Sequence, residues 1–400
     1  MPNIFKLFFL VFQGILIKIR INKLNIENKL IRYIKFNIKN ITMEEDEEKL
    51  LSIINYVKSL KERKNKNIIY KEIKNPKVSF ISPVFNQVKF LPFFISSIQN
   101  QKLKEFELMF IDDFSNDKSV QFIEDTKKKD ERIKLIINKK NKGTLYSRYI
   151  GQKLAKAKYS IFVDCDDIVL EDGIFKSYNH IINNNLDIVQ FHTIWQSKYS
   201  ISLKTNIYKY RRIIYKPILS YIYYYDYNYH KGEELNYALW DKLVKTQTMN
   251  KAFKFIGDKY LRENIIIHND LIILFAIFQM ANSYHYINEI GYYYIRNNKN
   301  STINSWHNGK IKSGIIHSLF LNIKFLYEKT NDTYLDKYFC IFKIQNYFKM
   351  YNNLFINLDN KEYTYLKNII DKILNLKYIS TQDKLSLTKI ELFILNMKKN

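Results

Sequence analysis

Three aspartates follow directly on a short apolar run near the middle of the chain. In the stretch Y-S-I-F-V-D-C-D-D, residues 161–163 predict a strand, and Asp164, Asp166 and Asp167 lie at its end. Side chains alternate along a strand, so we expect Asp164 and Asp166 to face one side and Asp167 to turn in where the strand ends. Mg²⁺ and Mn²⁺ bind one or two such carboxylates together with phosphate oxygens. The stretch therefore predicts a nucleotide-diphosphate site; the alternative is an acidic loop after a core strand.

Strands alternate with helices around these acids from residue 77 onward. Apolar runs predict strands, and apolar stripes at helical spacing predict the helices between them; in chain order these are 78–84, 90–98, 106–111, 117–128, 133–137 and 144–157. This order predicts an α/β fold with a mainly parallel, mixed sheet flanked by helices. Ligands of such sheets bind beyond the carboxyl ends of the strands. We therefore expect Asn86, Asp113 and the 164–167 acids to line one crevice.

The composition excludes several classes of protein. A content of 46% apolar residues in 400 is enough for real hydrophobic cores, and the formal net charge is +25. Because Lys, Asn, Ile and Tyr are over-used along the whole chain, we do not read this charge as a nucleic-acid-binding face. Residues 199–229 are basic and rich in tyrosine, which favours acceptor recognition, a lid or plain packing over base stacking. The two cysteines, Cys165 and Cys340, form no disulfide framework or zinc spacing and fit a reducing, cytoplasmic setting.

The N-terminal segment 1–42 has a composition of its own. Its apolar run, 4–17, is too short for a spanning helix. Glu27 is the one acidic residue in the segment to offset the basic residues that follow. We expect an amphipathic arm that contacts an anionic membrane surface peripherally. The alternative is a helix that packs on the body or on a partner subunit. An acidic helix start at 43–48 then precedes an apolar stripe that reaches Leu60.

Four motifs in order resemble one known family. They are V-S-F-I-S-P-V-F-N from Val78, I-D-D-F-S from Ile111, N-K-G-T-L-Y-S-R from Asn141 and D-C-D-D from Asp164. Together they look like the family 2 glycosyltransferases of the GT-A fold, and the resemblance covers about residues 77–195. The segments W-D-K-L-V-K from 240 and Y-Y-Y-I-R-N-N-K-N-S from 292 resemble bacterial capsule and lipooligosaccharide members.

The resemblance implies an inverting transferase that uses a nucleotide-sugar donor, commonly a UDP-sugar. By that similarity Pro83 and Phe85 lie along the nucleotide, Asp113 accepts a hydrogen bond from the base, Arg148 approaches the nucleotide, and Asp164 binds ribose or base. Taken alone, Arg148 is better interpreted as a long side chain that covers its own helix face. The implied acceptor is a glycan or glycolipid, and no nucleic acid is expected.

The resemblance also implies a metal site, and this chain departs from the family pattern at one position. Asp166 and Asp167 would hold a divalent cation, Mn²⁺ or Mg²⁺, with the diphosphate. Asn86 would lie in the nucleotide site, with a helix cap as its alternative role. Members often carry glycine where this chain has Phe114, which leaves the shape of that turn open.

An inverting transfer needs a base that removes the proton of the acceptor hydroxyl. Family members carry it as a Glu-Asp pair at a helix start after the tryptophan-containing segment. Here Asn269 stands in place of the Glu, and Asp270 keeps the pattern. We predict Asp270 as the catalytic base; the alternatives are a capping acid that favours the helix dipole, or His268 as the base.

The expected organisation has three parts. Residues 1–76 form a helical, membrane-associating arm with its linker, 77–305 a GT-A domain, and 306–400 a helical region without catalytic motifs. Two other classes of function compete with this reading. A nucleotidyltransferase would need a glycine-rich phosphate loop after the first strand, where P-V-F-N-Q-V-K has no glycine. A basic interaction protein would not need D-C-D-D.

Overall fold

The computed structural model describes most of the chain from Ile69 onward and a few residues before it. The described residues are 38–39, 55–57, 59–60, 69–196, 201–204, 209–210, 213–216, 238–295, 312–330, 337, 340–341, 343–349, 359–376 and 379–399. Apart from residues 38–39, the predicted membrane-contacting segment 1–42 lies outside these residues, as does most of the tyrosine-rich segment. Among the described helices, none is both long enough and apolar enough to span a bilayer.

The strands of the described residues include the four that the apolar runs at 78–84, 106–111, 133–137 and 161–163 predict. In chain order they are β1 Ile38–Lys39, β2 Val78–Val84, β3 Phe106–Asp112, β4 Ile133–Ile137, β5 Tyr159–Phe162, β6 Ile168–Val169, β7 Ile188–Gln196, β8 Ile201–Lys204, β9 Lys209–Tyr210, β10 Ile214–Tyr215, β11 Lys242–Lys245 and β12 Ser283–Ile295.

The helices of the described residues lie between and after these strands. They are α1 Leu91–Gln99, α2 Ser119–Lys127, α3 Thr144–Leu154, α4 Gly173–Asn183, α5 Thr246–Ile256, α6 Asp258–Leu261, α7 Asn269–Met280, α8 Lys312–Glu328, α9 Asn360–Leu374 and α10 Thr381–Lys399. Residues 343–349 are also helical.

One mixed sheet organises the molecule. Its strands lie in the order β10-β12-β7-β11-β5-β2-β3-β4, with β6 against β12 and β8 against β7. The consecutive half, β5-β2-β3-β4, is parallel, and β11 joins it antiparallel to β7. β2 and β3 are buried almost throughout, as expected of parallel strands covered on both faces. The predicted mainly parallel mixed sheet with flanking helices is therefore confirmed.

Helix α3 packs unusually close to the sheet, as the small residues in its sequence predict. A Cβ atom added at Gly151 would lie 2.4 Å from Cγ2 of Ile81 in β2 and 2.6 Å from Cδ1 of Ile111 in β3. Ser147, one turn earlier, is also buried. The absence of a side chain at Gly151 thus sets the distance between the sheet and the helix that carries Arg148.

The C-terminal helices share one apolar core with the sheet domain. Helix α7 is buried from Leu271 to Phe278, and its neighbours in the same core come from α5, α8, α9 and residues 340–347. A helix that is apolar on all sides needs partners on all sides. The helices after residue 306 supply part of that cover.

The close packing of α3 can be tested by stability. Gly151→Val should lower the free energy of unfolding by about 1–3 kcal/mol, because an extra side chain in a packed interface forces strain on its neighbours. Lys153→Val is the matched control, since it places the same residue at an exposed position of the same helix. Denaturant unfolding measures both; equal losses in the two variants would contradict the packing argument.

Candidate functional site

The carboxyl ends of β5, β2 and β3 meet at one edge of the sheet. The backbone N–H of Asp113 donates to Val84 O at 2.8 Å, and that of Val163 donates to Ile81 O at 3.0 Å. Pro83 lies within β2, and the exposed side chain of Phe85 follows it. The three strand ends are therefore adjacent, as predicted.

Asn86 joins the loops after β2 and β3. Its Oδ1 accepts from the backbone N–H groups of Asn116 and Asp117 at 2.9 and 3.3 Å, and its own N–H donates to Ser115 Oγ at 3.0 Å. Helix α1 has no side-chain cap bond at its start. Asn86 thus fixes the rim of the crevice and does not cap that helix.

Phe114 adopts the backbone conformation that glycine favours. Its φ is +71°, in the left-handed region, and its side chain is exposed. The neighbouring Asp112 accepts from Ser115 N–H at 2.9 Å, which holds the turn. The turn therefore keeps the shape that the glycine of related sequences would allow, at the steric cost of a bulky residue.

Asp113 anchors the loop that leads into α3. Its Oδ1 accepts from Asn138 Nδ2 at 2.9 Å and from Lys142 N–H at 2.8 Å, and its Oδ2 accepts from Gly143 N–H at 2.8 Å. A carboxylate offers about four lone-pair positions, so one more donor can still bind. The predicted contact with a nucleotide base is compatible with this arrangement.

Arg148 lies at the centre of the site. Its guanidinium is only 3% exposed; Nη2 donates to Asp164 Oδ1 at 2.9 Å, and Nη1 donates to Asn269 Oδ1 at 2.8 Å and also to Asp270 Oδ1. Burial opposes its charge, but Asp270 and Asp164 raise the pKa of Arg148 above its usual value. One buried cation thus links the acid at the end of β5 to the acid at the start of α7.

Asp270 is a partly exposed carboxylate on the first turn of α7. Its side chain is 33% exposed. Removal from water raises the pKa of its carboxyl, with a smaller contribution from Asp164, while Arg148 and Lys242 oppose the shift. Asn269 contacts the same guanidinium as its neighbour. An acid of raised pKa that is open to the crevice can take up a proton.

His268 differs in character from Asp270. Burial, with Lys343 nearby, lowers the pKa of its imidazole to about 3. It is therefore neutral at neutral pH and a weak proton acceptor.

Asp167 points away from the crevice. It is 1% exposed; Oδ1 accepts from Ile295 N–H at 2.8 Å, and Oδ2 accepts from the Tyr292 hydroxyl at 2.9 Å. Burial, with Asp166 and Asp164 close by, raises the pKa of its carboxyl well above the usual range. This corrects the expectation that Asp167 turns in beside the other two acids. The strand ends at Phe162, and a turn closed by Asp167 N–H on Asp164 O at 3.1 Å redirects the third acid.

A buried polar layer that sequence reasoning missed lies beneath these acids. Asp241 and Lys242 form an ion pair at 2.6 Å, and Trp240 stacks on the ring of Tyr292 at 4.6 Å between centroids. Tyr292 also receives the N–H of Asp164 at 3.1 Å. The W-D-K motif and the tyrosine run therefore support the D-C-D-D turn from below. Their letters alone gave no indication of this contact.

Fewer side chains are available to bind the predicted metal ion than the sequence suggests. Among the described residues, no group of three or more His, Cys, Asp or Glu side chains is arranged to hold a metal ion. Asp164 and Asp166 are both partly exposed. Because Mg²⁺ usually binds one or two carboxylates plus substrate phosphates, these two residues fit such an ion.

Comparison with known proteins identifies the domain. Residues 79–241 match the family model described as "Glycosyl transferase family 2". Residues 79–241 thus match a family 2 glycosyltransferase domain. The predicted family is thereby confirmed, and the match includes every strand-end motif named above.

Similar curated proteins are glycosyltransferases. An uncharacterized glycosyltransferase of Haemophilus influenzae is 38% identical over 111 residues, which cover 28% of this chain and 44% of that protein. The poly(ribitol-phosphate) beta-N-acetylglucosaminyltransferase TarP of Staphylococcus aureus is 38% identical over 116 residues, 28% of this chain and 35% of TarP. A cholesterol galactosyltransferase of Borreliella burgdorferi is 27% identical over 253 residues, 61% of this chain and 67% of that enzyme. The chain spans less than half the length of the first two.

The fold is also found in solved structures. The crystal structure of Staphylococcus aureus TarS residues 1–349 in complex with UDP-GlcNAc superposes with a TM-score of 0.58 at 16% identity. The superposition covers 81% of this chain and 89% of that one. The GT-A fold predicted from the sequence is confirmed.

Proposed function

We propose that the chain is an inverting glycosyltransferase that moves a sugar from a nucleotide-diphosphate donor, a UDP-sugar, to a hydroxyl of a surface glycan or glycolipid. One observation carries this proposal. Arg148 holds Asp164, at the donor end of the sheet, and Asp270, at the start of α7, on the same guanidinium. Donor-binding and proton-accepting groups thereby face one crevice.

The donor binds at the edge formed by β5, β2 and β3. Phe85 and Pro83 lie along the nucleotide, Asp113 accepts from the base, and Asp164 with Arg148 contacts the ribose and diphosphate side. The hydrogen bonds of Asn86 and Asp113 support this assignment, because they hold the loops around the donor before it binds. The TarS complex with UDP-GlcNAc, which has the same fold, supports a UDP-sugar.

Asp270 acts as the base. The acceptor hydroxyl attacks the sugar carbon, the bond from that carbon to the diphosphate breaks, and the hydroxyl proton passes to Asp270. The raised pKa of this carboxyl supports the assignment over His268, whose pKa of about 3 makes it a weak base. Asp270 is also the acid in the first turn of α7, where its charge favours the helix dipole. This location is compatible with its proposed role as the base.

A divalent cation, Mn²⁺ or Mg²⁺, would be held by Asp166 with Asp164, and it would offset charge on the departing diphosphate. Asp167 instead holds the turn through Tyr292 and Ile295. The acceptor class rests on the relatives, one of which is named for poly(ribitol phosphate) and another for cholesterol.

The base assignment predicts a selective loss of turnover. Asp270→Asn should lower kcat by on the order of a hundredfold or more, because a general base contributes about that much. UDP affinity should stay close to wild type, whereas thermal stability should fall, because the variant removes one of the two carboxylate charges that pair with the buried Arg148. Turnover is therefore compared at a temperature where circular dichroism reports both chains fully folded. UDP release from UDP-N-acetylglucosamine and UDP-galactose, with glycan and sterol acceptors, measures the reaction. Since burial raises the pKa of Asp270, wild-type kcat should also fall on the acid side at a pH above the ordinary aspartate range. Near-normal transfer by Asp270→Asn would move the base elsewhere.

Substitutions of the two neighbouring acids, Asp166 and Asp167, should differ in their effect on metal-dependent binding. Asp166→Asn should abolish Mn²⁺-dependent binding of UDP in calorimetry, since it removes a metal ligand. Asp167→Asn should keep UDP affinity within about twofold, because its partners are a hydroxyl and a backbone N–H. The second variant is the matched control for loss of one acid from the same turn. Loss of Mn²⁺-dependent binding in both would return Asp167 to the metal site.

We further place the protein at the inner face of the cytoplasmic membrane, held by the basic residues of 1–42. Binding of the full chain to vesicles with anionic lipid should weaken as salt rises, because surface charges are screened beyond a Debye length of about 10 Å at 0.1 M. A chain without residues 1–42 is the control, measured by cosedimentation. Equal sedimentation of the two chains would exclude the arm as the anchor.

A further inference from the structure

The loop between α6 and α7, residues 262–268, contacts the C-terminal helices, and the two residues that follow it contact Arg148. We propose that Ser318 and Tyr347 are positioning residues for transfer, which fix Asp270 through this loop. The inference rests on the proposed role of Asp270 as the base. It assigns a function to the region after residue 306, in which no sequence motif carries chemistry.

Helix α8 holds the middle of the loop through two buried polar residues. The N–H of Ile266 donates to Ser318 Oγ at 2.9 Å, and Ser318 Oγ donates in turn to Gly314 O at 2.7 Å. One turn later, Asn322 Nδ2 lies 3.5 Å from Ile267 O and 2.7 Å from Ser318 O. Both side chains are fully buried. Through these contacts, backbone polar groups of the loop have buried protein partners in place of water.

The last residue of the loop has a strained backbone with an aromatic contact. His268 has φ +56° and ψ +23°, in the left-handed region. Its carbonyl oxygen accepts a hydrogen bond from the N–H of Leu271 at 3.2 Å. Its ring lies 5.1 Å from the ring of Tyr347, between centroids. Left-handed backbone is unfavourable for a residue with a side chain, so the conformation persists only where its surroundings hold it. Tyr347 is buried and supplies such a contact.

The charges around this contact are compatible with a fixed geometry. The Nζ of Lys343 lies 5.5 Å from the Tyr347 ring centroid, one turn earlier on the same helical segment. This cation and burial keep His268 neutral. A neutral imidazole packs on the tyrosine without repulsion from Lys343.

The loop leads directly into the catalytic turn. Asn269 and Asp270 follow His268, and both contact Arg148 on α3. The first turn of α7 is therefore held between the sheet domain on one side and the C-terminal helices on the other. Loss of the second support would let the acid shift while its bond partner Arg148 stays fixed on the sheet.

The experiment compares two variants of one residue in the full chain. Tyr347→Leu removes the ring that contacts His268, and Tyr347→Phe keeps it. Ile369→Ala is the control, because Ile369 is buried in the same apolar core but lies on α9, outside the two segments that carry Ser318 and Tyr347. Each variant is measured at a temperature where circular dichroism reports it fully folded.

Tyr347→Leu should lower kcat about tenfold, because a small displacement of a catalytic group has effects of this order. Its KM for the donor and its Kd for UDP with Mn²⁺ should stay within about twofold of wild type, since the donor edge of the sheet is untouched. Tyr347→Phe should restore kcat. Ser318→Ala should reproduce the loss of kcat. Ile369→Ala should leave kcat unchanged.

A double variant tests whether Tyr347 acts through His268. His268→Asn tolerates the left-handed backbone and removes the ring, so in a double-mutant cycle Tyr347→Leu should add no further loss to it. Three results would each overturn the inference. They are losses of kcat that multiply in the double variant, a wild-type kcat for Tyr347→Leu, and an equal loss of kcat in Ile369→Ala. Turnover that survives Asp270→Asn would instead contradict the proposed base, so the two failures are distinguishable.

Discussion

The contact on which the rest of the site depends is the one between Arg148 and its two acids. A buried guanidinium without partners is very unfavourable, and two acids in one crevice repel. Together they form an arrangement with one cation between Asp164 and Asp270. Each element of the sheet domain contributes to this: β5 brings one acid, α3 brings the cation at a distance set by Gly151, and α7 brings the other acid. The proposed donor end and the proposed transfer end of the site are thus fixed to each other.

The layers beneath and behind the site explain why so much of the chain is needed. Tyr292 on β12 holds the D-C-D-D turn through Asp167 and Asp164 N–H, and Trp240 stacks on Tyr292. The helices after residue 306 hold the loop that precedes Asp270. Side chains that never reach the crevice therefore define the positions of those that do, as expected where a catalytic group has to be held within a fraction of an ångström.

The parts of this structure that follow from local pattern could be predicted from the sequence. Apolar runs gave the strands of the parallel half, and the rule that ligands bind at carboxyl ends brought Asn86, Asp113 and Asp164 to one edge. The direction of Asp167 could not be predicted, because side chains alternate only while the strand lasts and this one ends at Phe162. The bond between Arg148 and Asp270 joins residues 122 positions apart, and no spacing rule reaches that far. Resemblance placed both residues in the site but did not indicate that they touch.

The burial of α7 on all its sides bears on where the chain can be cut. The stretch recognisable as a family 2 domain, 79–241, ends before this helix. A fragment that stops there lacks Asp270, and one that stops at residue 305 leaves the apolar flank of α7 that α8 covers in contact with water. The stretch recognised by similarity therefore ends inside an apolar core that continues into α8 and α9.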